Sequence, residues 1–327
     1  MKKKFTLRRL LPIIVSAVLV VLAYRFVSGP GHRLNPAEVL NALRNIPLSG
    51  AVVGGLLVVV LYGALATCEI FIAGYVAGPV SPRRAALGAL LAAPIGHALG
   101  FGAVSGGAIR YRLYAAVGMR PLDIGKMILL AAIPYPAGLG LLLAGSLLLQ
   151  TDAAAPLLHT SPALARGIAI ALVALHLGYL TLVTQRPGPI AIGRYVVTLP
   201  PPRLTAVQYL VGLIEVFCGA SVLYVLLPPG IDLPFTVYMG LYVISILAGL
   251  ASGLPAGVGV FDVAILALLP HVPEAQLVAA MIAYRALLEL VPFLLALVAF
   301  AAYEIWWRLP TQRARALRIE AADAEDD

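Results

Sequence analysis

Long apolar runs separated by short polar segments dominate this 327-residue chain. Helix-length runs fall near 10–28, 50–76, 123–150, 163–184, 206–227 and 276–307, each close to the ~20 residues an α-helix needs to cross a bilayer. Two further regions, near 79–109 and 236–270, are also apolar but are interrupted by glycine, proline and charge. The densest interruption is ISILAGLASGLPAGVGVFDVAILALLP at 244–270, which sets Gly249, Gly253, Pro255, Gly257, Gly259 and Asp262 inside an apolar stretch. Backbone groups at membrane depth must be satisfied within the protein, so non-helical backbone survives there only against protein or a water-filled cavity. The pattern predicts an all-α polytopic membrane protein with six full crossings and two broken re-entrant helical hairpins. The apolar runs are continuous rather than alternating, which argues against a β-barrel.

Composition strengthens this reading. The chain is 61% hydrophobic and 12% charged, with a mean hydropathy of +0.97, whereas soluble domains sit near ~25% charged. The formal charge of +8 is carried by residues at the ends of apolar runs, a pattern of topology and anionic-lipid contact rather than of nucleic-acid binding. With both interrupted regions re-entrant, both termini are cytoplasmic, and eighteen of the twenty-three Lys and Arg residues fall on that side. Arg25, Arg33, Arg44 and Arg166 fall opposite, and Arg285 is left in mid-helix. The expected layout is a basic cytoplasmic tail at 1–9, a single transmembrane domain at 10–307 and a charged cytoplasmic tail at 308–327. The first apolar run resembles a signal peptide but has no clear small-residue cleavage site, so it is expected to be retained as a helix. Trp306 and Trp307 suit an interfacial aromatic belt. Cys68 and Cys218 form neither a disulfide framework nor a metal motif, and no metal or cofactor is implied.

Charges inside apolar runs are expensive and point to function by default. In APIGHALGFGAVSGGAIRYRLY at 93–114, Gly106 and Gly107 are candidates for a hairpin turn, and Arg110 for a phosphate contact through its rigid fork of donors. Topology alone also accounts for an arginine there. His97 reads as a packed residue or a proton carrier. In the second interrupted region, Gly253, Pro255, Gly257 and Gly259 predict the turn between two half-helices. Asp262 then lies in the first turn of the second half-helix, where it serves as a cap, a functional acid or both. Arg285 and Glu289 are four apart on one helical face, and Arg285 could also reach Asp262 or Glu215. Glu69 and Glu215 have no local basic partner, so each must find one across the bundle or hold a proton. Each precedes a broken region, which leads to the expectation of inverted repeats with a polar site at their interface.

Four stretches, SGGAIRYRLY at 105–114, IEVFCGASVLYVLLP at 214–228, SGLPAGVGVFDVAILALLP at 252–270 and YRALLELVP at 284–292, together resemble the flippase-like transmembrane domain of the bacterial lysylphosphatidylglycerol synthase/flippase family. The chain departs from the family pattern at Ala256, where a glycine is usual, at Asp262, where the family has Glu, and at Leu288 and Glu289, where it has a tyrosine pair. The resemblance implies a multi-pass protein of the bacterial inner membrane that moves phospholipid or modified phospholipid between leaflets. Its partners would be anionic or aminoacylated phospholipids, meeting Arg110, Glu215, Asp262, Arg285, Glu289 and Glu69. The soluble aminoacyl-transfer domain of the related synthases is expected to be absent, and no Walker, HExxH or GxSxG motif occurs, so an enzyme is disfavoured. The alternative is a non-transporting partner that binds lipid and supports a lipid-modifying enzyme. A homo-oligomer remains open under either reading.

Overall fold

The computed structural model describes residues 35–99, 102–185, 188–192, 195–231, 233–252 and 259–306. Among these, Leu48–Val76, Pro121–Leu149, Pro162–Gln185, Pro202–Leu226 and Glu274–Trp306 are long and apolar enough to cross a membrane. They coincide with five of the six expected crossings. The sixth, at 10–28, lies outside the described residues, as do both tails and Trp307.

The elements in order are α1 (Pro36–Arg44), α2 (Leu48–Val76), α3 (Pro82–Leu99), α4 (Gly102–Ala115), α5 (Pro121–Ala131), α6 (Pro134–Leu149), α7 (Thr151–Leu157) and α8 (Pro162–Gln185). A short antiparallel ribbon follows, β1 (Pro189–Ile192) and β2 (Tyr195–Thr198), paired Pro189 to Thr198 and Ile192 to Tyr195. Then come α9 (Pro202–Leu226), α10 (Phe235–Ala251), α11 (Val260–Leu268) and α12 (Glu274–Trp306). The molecule is an all-α polytopic membrane protein, with the ribbon as its one described β element. Prolines punctuate the helices. Pro36, Pro121, Pro134 and Pro202 each sit at a helix start, where a missing N–H costs nothing and φ is already helical.

α9 is the central post, packing chiefly on α2 and α6. Val222, Leu223 and Ala220 of α9 are fully buried, with Leu241 of α10, Ile265 of α11 and Leu277 of α12 in the same core. A second core gathers Ile72 of α2, Leu91 of α3, Leu113 of α4 and Met127 of α5. Outward faces stay apolar: Leu56 and Val59 of α2, Ile170 and Leu175 of α8, and Leu295 and Val298 of α12 are all exposed. Such a surface suits lipid contact rather than water.

Both interrupted regions form helical pairs, α3–α4 and α10–α11. At ~1.5 Å per residue, α4 and α11 are ~21 and ~14 Å long, short of the ~30 Å hydrocarbon core. Within the first pair, the expected turn glycines are placed differently: Gly106 and Gly107 lie inside α4 and are buried. Their service is close packing. A Cβ on Gly106 would stand 2.8 Å from the Ala92 carbonyl oxygen of α3, and one on Gly107 would stand 3.2 Å from Ile128. Pro94 likewise sits within α3 rather than ending it. In the second pair, Gly259 immediately precedes α11 with φ +86°, a conformation that side-chain-bearing residues rarely adopt. Gly253, Pro255 and Gly257 lie outside the described residues.

The tightest crossing is α6 on α9. A Cβ added to Gly138 would collide with the backbone of Gly212, and one on Gly212 with the backbone around Pro134. Small residues permit this approach, the usual basis of helix association in membranes. Gly138→Leu is therefore expected to destabilise the protein by at least ~1–3 kcal/mol, the usual range for overpacking. Gly145→Leu on the same helix meets open space and should leave the melting curve in detergent unchanged.

Candidate functional site

The charged side chains predicted at membrane depth fall into three groups with different surroundings. The first joins α2 and α4. Arg110 donates from Nε and Nη2 to the two carboxylate oxygens of Glu69, both at 2.8 Å, and the Tyr114 hydroxyl donates to Glu69 Oε1 at 2.9 Å. The Tyr114 ring fits because Gly88 of α3 leaves room for its hydroxyl. Glu69 has thus found the partner its own helix lacks. Its side chain is 2% exposed and that of Arg110 11%. This group is a sealed, bidentate bridge with its donors and acceptors matched.

The second group joins α11 and α12. Arg285 donates from Nη2 to both oxygens of Asp262, at 3.0 and 2.9 Å, and from Nη1 to Glu289 at 3.4 Å. Its guanidinium also lies 5.9 Å from the centre of the Phe261 ring, a cation–π distance. Asp262 Oδ2 accepts the Gly259 amide at 3.0 Å. Asp262 therefore caps the start of α11, as one sequence reading expected, and pairs with Arg285 at the same time. Of the partners open to Arg285, the fold selects Asp262 and Glu289 and leaves Glu215 to another neighbour.

The local reason for this placement is a feature the sequence reading missed. Between Arg285 and Val291, α12 widens into one π turn, Ala286–Leu290. The Val291 amide reaches back to the Ala286 carbonyl, an i to i+5 bond. Such a turn is rare and disturbs the carbonyl ladder, often at a functional position. Here the Leu288 carbonyl accepts the Tyr62 hydroxyl of α2 at 3.3 Å. Beside it, the Tyr284 and Tyr242 hydroxyls are 2.7 Å apart, tying α12 to α10. The sequence signal available was indirect: Tyr284 and an Arg–Glu pair flanking a Leu-Leu step.

The third group joins α3 and α9. Glu215 of α9 is 6% exposed, and its Oε1 lies 3.7 Å from His97 Nε2 of α3, a side chain 42% exposed. The Tyr62 ring stands 6.4 Å from the His97 ring, so Tyr62 links this pair to the π turn. The six candidate charges thus resolve into Glu69 with Arg110, Asp262 and Glu289 with Arg285, and Glu215 with His97. Nearer the other end of α12, Arg112 binds both oxygens of Glu304 at 2.9 Å, beside an open cavity of about 540 Å³ that Phe300 and Ile305 help line.

The fold and this interior define a class: a polytopic helical membrane protein whose broken helices carry buried and half-buried charge. No family model matches the chain. It is similar to an uncharacterized protein of Synechocystis sp., 25% identical over 305 residues that cover 91% of this chain and 93% of that one. It is 27% identical to the inner membrane protein YbhN of Escherichia coli over 215 residues, covering 62% of this chain and 64% of YbhN. An 88-residue stretch is 36% identical to the phosphatidylglycerol lysyltransferase of Staphylococcus xylosus, covering 26% of this chain and 10% of the enzyme.

The sealed bridge and its partner-dependence are testable. Arg110→Ala leaves the Glu69 carboxylate buried without its cation and should cost ~3–5 kcal/mol, whereas replacing both partners with apolar residues of similar volume is often neutral. The double variant Glu69→Leu/Arg110→Met is therefore expected to melt above Arg110→Ala. Equal melting temperatures for the two variants would remove the buried bridge as the reason.

Proposed function

We propose that the protein moves phospholipid, or a modified phospholipid, between the leaflets of a bacterial inner membrane. The observation that carries this reading is the contrast in exposure between the charged groups. The Glu69–Arg110 bridge is closed off, as a structural element should be. Arg285, Asp262 and Glu289 retain side-chain exposures of 23, 17 and 26%, and His97 retains more. Charges held inside a membrane protein yet left partly open suit a passing polar head group better than they suit packing. The Arg285 guanidinium is a planar donor fork that a phosphate would contact by displacing Glu289, its more distant partner at 3.4 Å.

The similarity to YbhN supports the inner-membrane location, and the similarity to a phosphatidylglycerol lysyltransferase supports a lipid as the ligand class. That enzyme is matched over about a tenth of its length, so the transferase chemistry itself is not carried over. In this reading α3–α4 and α10–α11 are re-entrant pairs from opposite sides, and His97 of α3 meets Glu215 of the central α9 where the two halves join, the position of transporter sites in repeat-built folds. Arg110 then serves as a support of that interface through Glu69 rather than as a primary phosphate contact.

The test is lipid movement in vesicles reconstituted with the purified full chain, comparing several labelled head groups. Wild-type protein should speed the appearance of lipid in the opposite leaflet. Arg285→Ala should insert normally yet slow that appearance by about tenfold or more, because a charge-assisted hydrogen bond is worth ~1.5–3 kcal/mol and ~1.4 kcal/mol is tenfold in rate. Equal rates with and without protein would sink transport of those lipids, and an unchanged Arg285→Ala rate would sink the role of Arg285.

A further inference from the structure

Glu215 differs from the other three carboxylates inside the bundle. Glu69 holds Arg110, and Asp262 and Glu289 share Arg285. Glu215 is 6% exposed, and among the described residues it makes no salt bridge with a lysine or arginine and no hydrogen bond; its one ionisable partner is His97 at 3.7 Å. That gap exceeds a hydrogen bond and is one that a rotamer change or a single bridging water spans. The groups facing the pair from each packed element are otherwise engaged or uncharged. From α2 come Tyr62, whose hydroxyl is turned to Leu288, and Cys68, a neutral buried thiol. From α4 comes Arg110, held by Glu69, and from α12 Glu289, held by Arg285. Tyr135 of α6 is an uncharged phenol near Glu215. Tyr242 of α10 is paired with Tyr284, and His176 of α8 is turned to the Leu172 carbonyl and the Tyr209 ring.

Charge counting sharpens the point. Among the described residues, Glu69, Glu215, Asp262 and Glu289 face two cations, Arg110 and Arg285. These described groups carry an excess of negative charge unless they take up a small cation, and unpaired charge at bilayer depth is costly. The geometry supplies a route for the smallest one. The His97 ring is the exposed end and the Glu215 carboxyl the buried end of a two-member relay.

We propose that Glu215 and His97 form a proton-binding site at the junction of the two halves, and that occupancy of this site drives or gates lipid movement. The coupling, though not the proton site, rests on the translocation reading above. A proton from the aqueous side binds the His97 imidazole. It then passes from Nε2 to Glu215, the N–H bond breaking as the O–H bond forms. Neutral imidazole is regenerated, and nothing is oxidised or reduced. With imidazolium and carboxylate present, α3 and α9 attract each other. Once the proton is on Glu215, that attraction between the halves is gone.

Infrared difference spectroscopy of the full chain in phosphatidylcholine–phosphatidylglycerol vesicles, between high and low pH, tests the site without requiring transport. Wild-type protein should gain a carboxylic-acid C=O band as the pH falls. Glu215→Gln should lose that band, Glu215→Asp should keep it at a shifted frequency, and His97→Gln should shift its midpoint. Wild-type and Glu215→Gln spectra with the same carboxylic-acid band would overturn the proton site. Should Glu215→Gln fail to fold, Glu215→Asp decides: an unshifted band overturns the proposal. Lipid movement in the same vesicles under an imposed pH gradient tests coupling. Wild-type rates should follow the gradient and Glu215→Gln rates should ignore it. Wild-type rates that ignore the gradient overturn the coupling, while an absence of lipid movement under every gradient counts against the translocation reading alone.

Discussion

An ionised side chain within a membrane-crossing bundle must have its charge and hydrogen bonds met by other protein groups, and the interior of this molecule is arranged around that requirement. Glu69 and Arg110 are each expensive alone; together, with Tyr114, they lock α4 against α2. Arg285 does the same for α11 and α12 by holding two carboxylates at once. Much of the packing follows from bringing these groups together. Gly88 makes room for Tyr114, Gly106 lets α4 lie against α3, and the π turn that follows Arg285 in α12 carries its second acid, Glu289.

The same requirement divides support from site. Where charges are fully matched and sealed, they hold helices in register. Where one guanidinium serves two acids, the group stays partly open. The Glu215–His97 pair takes this furthest, since its carboxyl has only a titratable partner. It also joins α3 to the central α9. A proton or a head group arriving there would act on the contact between α3 and α9, and through Tyr62 on the π turn of α12.

Five of the six expected crossings were plain in the sequence as helices of sufficient length, because a run of ~20 apolar residues reports its own length and little else competes with it. Both interrupted regions were visible for the same reason, and the Arg285–Glu289 pair followed from helical spacing. Partners far apart in sequence were not visible. Nothing near Glu69 names Arg110, and nothing near Glu215 names His97, because those contacts depend on how α2, α3, α4 and α9 cross. The glycines show the limit most clearly. A glycine in an apolar run permits either a turn or a close approach, and the sequence does not distinguish them. Gly259 is a turn residue with positive φ, while Gly106 and Gly107 are packing residues inside a helix. The π turn, α1, α7 and the β ribbon carried no pattern strong enough to read.

The central claim is that a lipid head group enters the half-open charged interior rather than only bathing the outside of the bundle. Phosphatidylglycerol carrying a photoreactive group on its head group, cross-linked in vesicles and mapped by mass spectrometry, addresses that claim most directly. Labelling concentrated around His97 on α3, Asp262 on α11 and Glu289 on α12 is the predicted result. Labelling confined to outward faces, such as Ile170 and Leu175 of α8, with none at those three positions, would contradict it.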